Sequence, residues 1–176
     1  MTHAKKSYYH RGGEMPLTGL TIPEYFLSIV KKYPKQQAVV SLPQRRRLDY
    51  QAFSDASDEL ARGLIGLGFR RGDRIGIWST NNIEWLLVQM ATARFGAILV
   101  NINPAYRPRE LAYALERSEV QGLFVIPRFR SSDYLNMLQD LIPELQQNNT
   151  ELECKTLPCL KRIVVFDPED AMHTTT

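Results

Sequence analysis

Residues 74–126 read RIGIWSTNNIEWLLVQMATARFGAILVNINPAYRPRELAYALERSEVQGLFVI, and the stretch changes period several times. Arg74–Ser79 is a short apolar run that predicts a strand, with Gly76 allowing close packing against a neighbour. Asn81–Phe95 has the length and composition of a helix, with Asn81 and Glu84 as its capping pair. Ala97–Ile102 is a second, almost wholly apolar strand. Pro108–Ser118 reads as a helix and Gly122–Ile126 as a third strand. Strands without polar alternation, separated by helices, predict a parallel sheet covered on both faces. The fold class is therefore α/β, a mostly parallel, doubly wound sheet with right-handed crossovers.

The pattern continues outward. Downstream, Asp133–Leu145 predicts a helix capped by Ser131 or Ser132, Gln146–Pro158 a polar loop, and Arg162–Phe166 a fourth strand. Upstream, Ala52, Phe53, Ala56, Leu60, Leu64 and Leu67 recur at helical spacing, and Gly68 is placed to end that helix in the left-handed conformation. Gln37–Leu42 and Arg47–Tyr50 are short strands around a turn at Pro43–Arg46. Thr21 and Glu24 form a capping box for a helix that Pro34 stops after Tyr33. The expected organisation is an extended segment 1–20, an α/β unit 21–167, and a frayed tail 168–176.

Length and composition exclude several classes. The chain has 176 residues, 44% hydrophobic and 23% charged, which is globular rather than collagenous or disordered. No apolar run approaches the roughly 20 residues of a membrane-spanning helix, and no signal-peptide core follows Met1. The net charge of +3 is too mild to argue for nucleic acid. Residues 1–50 hold nine Lys/Arg against three Asp/Glu, including Arg45, Arg46 and Arg47 in the expected turn, and these read as solvated surface charge. Cys154 and Cys159 are too few for a disulfide scaffold or zinc site, and His3, His10 and His173 lie near the chain ends. No metal-binding residues are expected.

Most catalytic signatures are missing. Gly63, Gly66 and Gly68 are in the wrong order for a dinucleotide fingerprint and close a helix instead of opening one. There is no G-x-x-x-x-G-K-[ST] loop and no G-x-S-x-G elbow. Asp55, Asp58 and Glu59, with Arg62, read as surface pairing along one helix. Two loops follow strands, where open parallel sheets bind ligands. Asn101–Tyr106 offers side-chain amides, although Asn103-Pro104 forcing a turn is the preferred reading. Pro127–Arg130 carries Arg128 and Arg130 one residue apart. The pair suits an anion such as phosphate, with ordinary surface charge as the preferred alternative. No catalytic residue is assigned.

Several segments together resemble a known family. Gly72–Trp78, Asn81–Trp85 and Ala93–Tyr106 resemble the N-terminal part of acyl-CoA synthetases of the adenylate-forming, AMP-binding superfamily. Leu48–Phe53 is similar to that family's early L-T-Y-x-E-L motif, with Asp49 where Thr or Ser is commoner and Phe53 where Leu is. Ser7–His10 and Phe129–Pro143 are most similar to medium-chain acyl-CoA ligases of the family-member-2 type. The resemblance covers roughly residues 7–147, and Leu160–Asp167 more loosely.

The resemblance implies an N-terminal fragment of an ATP-dependent fatty acyl-CoA ligase, incomplete relative to the full synthetase fold. In that family a carboxylate and ATP give an acyl-adenylate and pyrophosphate, and CoA then displaces AMP, with Mg2+ assisting. ATP, CoA and Mg2+ are thus the cofactors of the full-length family, and none is expected to bind tightly here. The family's phosphate loop, ribose-binding Asp and catalytic Lys are absent, so the chain alone is expected to be inactive. Arg128 and Arg130 fall where related enzymes meet the 3′-phosphate of CoA. The implied partner is a fatty acid substrate. No nucleic acid or transmembrane segment is implied, and the apolar Ile163–Phe166 edge invites self-association. A stand-alone, non-catalytic interaction module is the alternative. The expected location is cytoplasmic, with mitochondrial as the alternative.

Overall fold

The computed structural model describes residues 13, 17–146 and 152–168. The expectations for residues 1–12, for the last eight residues and for the three histidines lie outside the described residues. Helix α1 (Ile22–Lys32) begins on the expected box: the Thr21 side chain accepts from the Glu24 N–H, and the Glu24 carboxylate accepts from the Thr21 N–H at 2.7 Å. The Thr21 hydroxyl, then its backbone N–H, holds the Glu24 carboxyl below the usual carboxylate range.

β1 (Gln37–Ser41) and β2 (Arg46–Asp49) form an antiparallel hairpin. The expected strand is shifted by one residue: Arg46 already belongs to it, Arg47 lies in it as expected, and Tyr50 already opens helix α2 (Tyr50–Gly66). Asp49 caps that helix by accepting from the Ala52 N–H at 2.7 Å. Gly68, at φ +97°, ends it as expected.

The main sheet contains β3 (Arg74–Trp78), β4 (Ile98–Ile102), β5 (Gly122–Val125) and β8 (Arg162–Val165) in the order β4-β3-β5-β8, all parallel. Helices α3 (Ile83–Phe95), α4 (Pro108–Arg117) and α5 (Tyr134–Leu141) cover it. Period-two alternation divides β3: Ile75 and Ile77 join Ala61, Leu64, Val88 and Phe124 in one core, whereas Trp78 joins Leu111, Leu115, Leu123 and Val125 in the other. Gly76 does permit a close approach, since a Cβ there would lie 3.1 Å from both Ile102 and Val120 side chains.

Several local expectations are corrected. The cap of α3 is Asn82, whose side chain accepts from the Trp85 N–H at 2.7 Å; Glu84 is engaged elsewhere. The helix expected at Asp133–Leu145 is shorter. Asp133, not Ser131 or Ser132, caps it, and Pro143–Gln146 is a 3-10 turn. Before it, Arg128–Phe129 (β6) and Ser132–Asp133 (β7) pair as a small hairpin absent from the sequence expectation. On α2, Asp58 does not pair along its own helix: it meets Arg94 Nε of α3 at 2.8 Å. That arginine also donates to Ser54 at 2.7 Å and lies over the Phe26 ring, joining three helices. The stretch expected as a polar loop, Gln146–Pro158, supplies core through buried Cys154 and Leu157; just beyond it Leu160 is buried and Cys159 exposed.

Candidate functional site

Strand order decides where a ligand fits. β4 lies on one side of β3, and the chain then crosses back so that β5 lies on the other. Between β3 and β5 the order reverses, and open parallel sheets bind ligands in the crevice outside the strand ends at such a point. A crevice of about 650 Å³ stands there. Thr80, Asn81 and Asn82 after β3 line one wall, Ile126–Arg130 after β5 another, and Asp167 and Pro168 follow β8.

The β1–β2 turn closes the remaining side through Ser41, Pro43 and Gln44. Gln44 is buried because it is a latch. Its Oε1 accepts from the Ile83 N–H at 2.9 Å, a first-turn helix donor without an intrahelical partner. Its Nε2 donates to Glu84 at 2.7 Å, and Arg46 pairs with the same carboxylate. Asn82 is held equally firmly, donating to Ser79 Oγ and the Thr80 carbonyl, both at 2.9 Å. Asn81, relieved of capping, is exposed on the wall.

The sequence-derived site residues separate. Arg128 and Arg130 are both exposed at the crevice, on the β6–β7 hairpin. Arg130 adopts φ +53°, a conformation unfavourable for a residue with a Cβ, and its guanidinium lies 5.0 Å from the Phe129 ring centroid. The Asn101–Tyr106 stretch begins inside β4, whose last residues are Asn101 and Ile102, and it is not part of the crevice wall. Asn103 Oδ1 accepts from the Ala105 N–H at 2.9 Å, as in an Asx turn, so the turn reading describes it. Its carbonyls are occupied too: Trp78 Nε1 donates to Asn103 at 3.1 Å, and the Tyr134 hydroxyl donates to Pro104. Burial pushes the Tyr134 hydroxyl up to about 12, against the opposing charge of Arg107, so it remains a donor far above neutral pH.

Two exposed cations on a rigid wall, beside an exposed amide, suit a phosphate-like anion. Sequence reasoning missed Asn81 and Gln44 as wall residues. Their only signal was position beside a strand end and a turn. Among the described residues, no group of three or more His, Cys, Asp or Glu gathers to hold a metal ion, and no helix is long and apolar enough to cross a membrane.

An open parallel sheet flanked by helices, with a crevice at its switch point, defines a doubly wound α/β protein. The family model for AMP-binding enzymes matches residues 26–175, and the chain belongs to that family. It is 33% identical over 162 residues to the mitochondrial medium-chain acyl-CoA ligase ACSF2 of Rattus norvegicus, over 92% of this chain and 26% of that protein. It is 37% identical over 133 residues to the putative acyl-CoA synthetase YngI of Bacillus subtilis (strain 168), over 75% of this chain and 24% of that one. The N-terminal domain of FACL13 from Mycobacterium tuberculosis shares the fold, with a TM-score of 0.69 at 18% identity, over 89% of this chain and 37% of that one. The chain spans about a quarter of the length of the curated relatives it matches.

Proposed function

We propose that this chain is the N-terminal part of an ATP-dependent fatty acyl-CoA ligase, and that Arg128 and Arg130 contact the 3′-phosphate of CoA. The observation that carries the reading is the placement of both arginines at the switch point of the sheet, in a chain of this family. In the whole ligase, a fatty acid and ATP form an acyl-adenylate and pyrophosphate, and the CoA thiol then displaces AMP. The residues of this chain fit one part of that chemistry. Cationic Arg128 and Arg130 suit a phosphate monoester, and the Gln44 latch keeps the opposite wall in place. They do not fit the rest: the sequence has no glycine-rich phosphate loop, and among the described residues no set of metal ligands gathers. The 176-residue chain by itself is therefore inactive in acid activation. The mitochondrial relatives favour a mitochondrial location over a cytoplasmic one.

An antibody raised against residues 17–146 tests this reading. The native protein is expected as a band several-fold above 20.2 kDa whose immunoprecipitate forms acyl-CoA from fatty acid, ATP and CoA. An inactive band at 20.2 kDa would replace this reading with the stand-alone interaction module. One feature favours that alternative: an apolar groove of about 410 Å³ beside β8, lined by Leu60, Leu87, Phe124, Val164 and Phe166.

Arg130 supplies a separate prediction. Glycine adopts φ +53° without the Cβ penalty, which is about 1 kcal/mol. Arg130→Gly is therefore expected to leave the thermal midpoint unchanged or raise it, while lowering the preference for CoA over dephospho-CoA at least threefold. A lowered midpoint with unchanged preference would make Arg130 a structural residue only.

A further inference from the structure

The arginines of the crevice stand on a hairpin with two-residue strands, too short to hold its own shape. Its rigidity is borrowed from Tyr134, the next residue. The Tyr134 N–H donates to the Pro127 carbonyl at 2.9 Å and closes the base of the hairpin. The ring is fully buried and stacks on Trp78, with centroids 3.6 Å apart and planes 5° from parallel. The hydroxyl donates to the Pro104 carbonyl. Trp78 is itself anchored at the end of β3 and donates to Asn103, so three loop ends meet at one stacked pair. On the far strand, Arg107 Nη1 donates to Ser132 Oγ at 3.1 Å.

We propose that Tyr134 is a positioning residue for the switch-point crevice: through its bond to Pro104 and its stack on Trp78 it sets where Arg128 and Arg130 present their charge, with Arg107 holding the opposite strand through Ser132. The proposal rests on reading the hairpin as a CoA phosphate site. Tyr134 touches no ligand. A phosphate held by two guanidinium groups is sensitive to their spacing, so loosening the base of the hairpin spreads the two charges over more positions and weakens their joint contact. The Asn101–Tyr106 loop thereby gains an indirect role, as the fixed carbonyl against which the hairpin is registered.

The test uses the whole ligase that carries this chain, titrated with CoA and with dephospho-CoA as probes. The readout is the ratio of the two affinities, which reports the 3′-phosphate contact alone. Tyr134→Phe keeps the stack and removes only the hydroxyl, and Ser132→Ala removes the acceptor of Arg107. Each is expected to lower the ratio about threefold. Arg94→Lys, which loosens the helix layer far from the hairpin, is expected to lower the melting midpoint and leave the ratio unchanged. If the unaltered ligase does not distinguish the probes, the arginine hairpin is no phosphate site, and the positioning role falls with it. If it does distinguish them and Tyr134→Phe does so equally well, the positioning role alone is overturned. A ratio that falls in Arg94→Lys as far as in Tyr134→Phe would likewise overturn it, because the ratio would then follow stability alone.

Discussion

Gly122→Ala is expected to destabilise the protein by about 3 kcal/mol, at the upper end of ordinary overpacking. Gly122 opens β5 in the middle of the sheet, beside Ile75 of β3 and Arg162 of β8. A Cβ there would lie 2.2 Å from Cζ and 2.6 Å from Cε1 of Phe69. A flexible side chain could retreat, but Phe69 is a ring that is only 5% exposed, packed in the core with Ala61, Leu64 and Ile75. Relief requires an off-rotamer ring or a shifted strand. For a domain of this size the loss corresponds to a fall of roughly 6–12 °C in thermal midpoint. Gly68→Ala provides the contrast. A Cβ added at Gly68 would meet nothing within 4 Å, and its φ of +97° makes the penalty one of backbone only, about 1 kcal/mol. Phe69→Leu combined with Gly122→Ala is expected to recover at least about 1 kcal/mol relative to additivity, because the two changes share one volume. A Gly122→Ala midpoint within a degree of the parent would show that the ring moves freely and would remove the argument.

That glycine illustrates what the sequence could convey. The parallel sheet was legible because β3, β4 and β5 are apolar on both faces, and each is separated from the next by a segment of helical length. Local chemistry was legible where both partners are close in sequence, as with Thr21 and Glu24 or the left-handed Gly68. It was not legible where a distant partner competes. Asn81 and Glu84 have capping spacing, but Gln44 and Arg46, some forty residues upstream, take the Glu84 carboxylate, and Asn82 caps instead. Asp58 reaches Arg94 across a helix interface for the same reason. The β6–β7 hairpin has too few residues for any period to emerge. The core leucines at 157 and 160 sit among polar neighbours without a repeat.

The candidate site was half legible. Both post-strand loops were visible, and the arginine pair with the family resemblance favoured Pro127–Arg130, but a sequence does not reveal strand order, so its place at the switch point was not legible. The return of the chain across β3 decides that place, putting the second loop at the reversal and leaving the first outside.

Trp78→Ala is expected to cost about 4 kcal/mol, in the range of large aromatic truncations from a packed core. Trp78 is fully buried at the carboxyl end of β3, where its indole is both filler and connector. Its removal takes away the stacking partner of Tyr134 and the donor to Asn103, and opens a cavity against Ile102, Leu111 and Val125. Against a total stability of roughly 5–15 kcal/mol, that is a large fraction, and the thermal midpoint should fall by about 8–16 °C. Trp78→Phe keeps an aromatic face for Tyr134 but loses the donor and part of the volume, so an intermediate loss of about 2 kcal/mol is expected. Trp85 on α3 is the second of the chain's two tryptophans and packs against the other core, so it provides a fluorescence signal for unfolding in both variants. Amide exchange then separates cause from consequence. Because Trp78 anchors the base of the arginine hairpin, residues 128–134 of Trp78→Phe should lose protection more than α2, on the opposite face of the sheet. Equal loss in both places would mean that Trp78 supports the domain as a whole and has no particular bearing on the crevice.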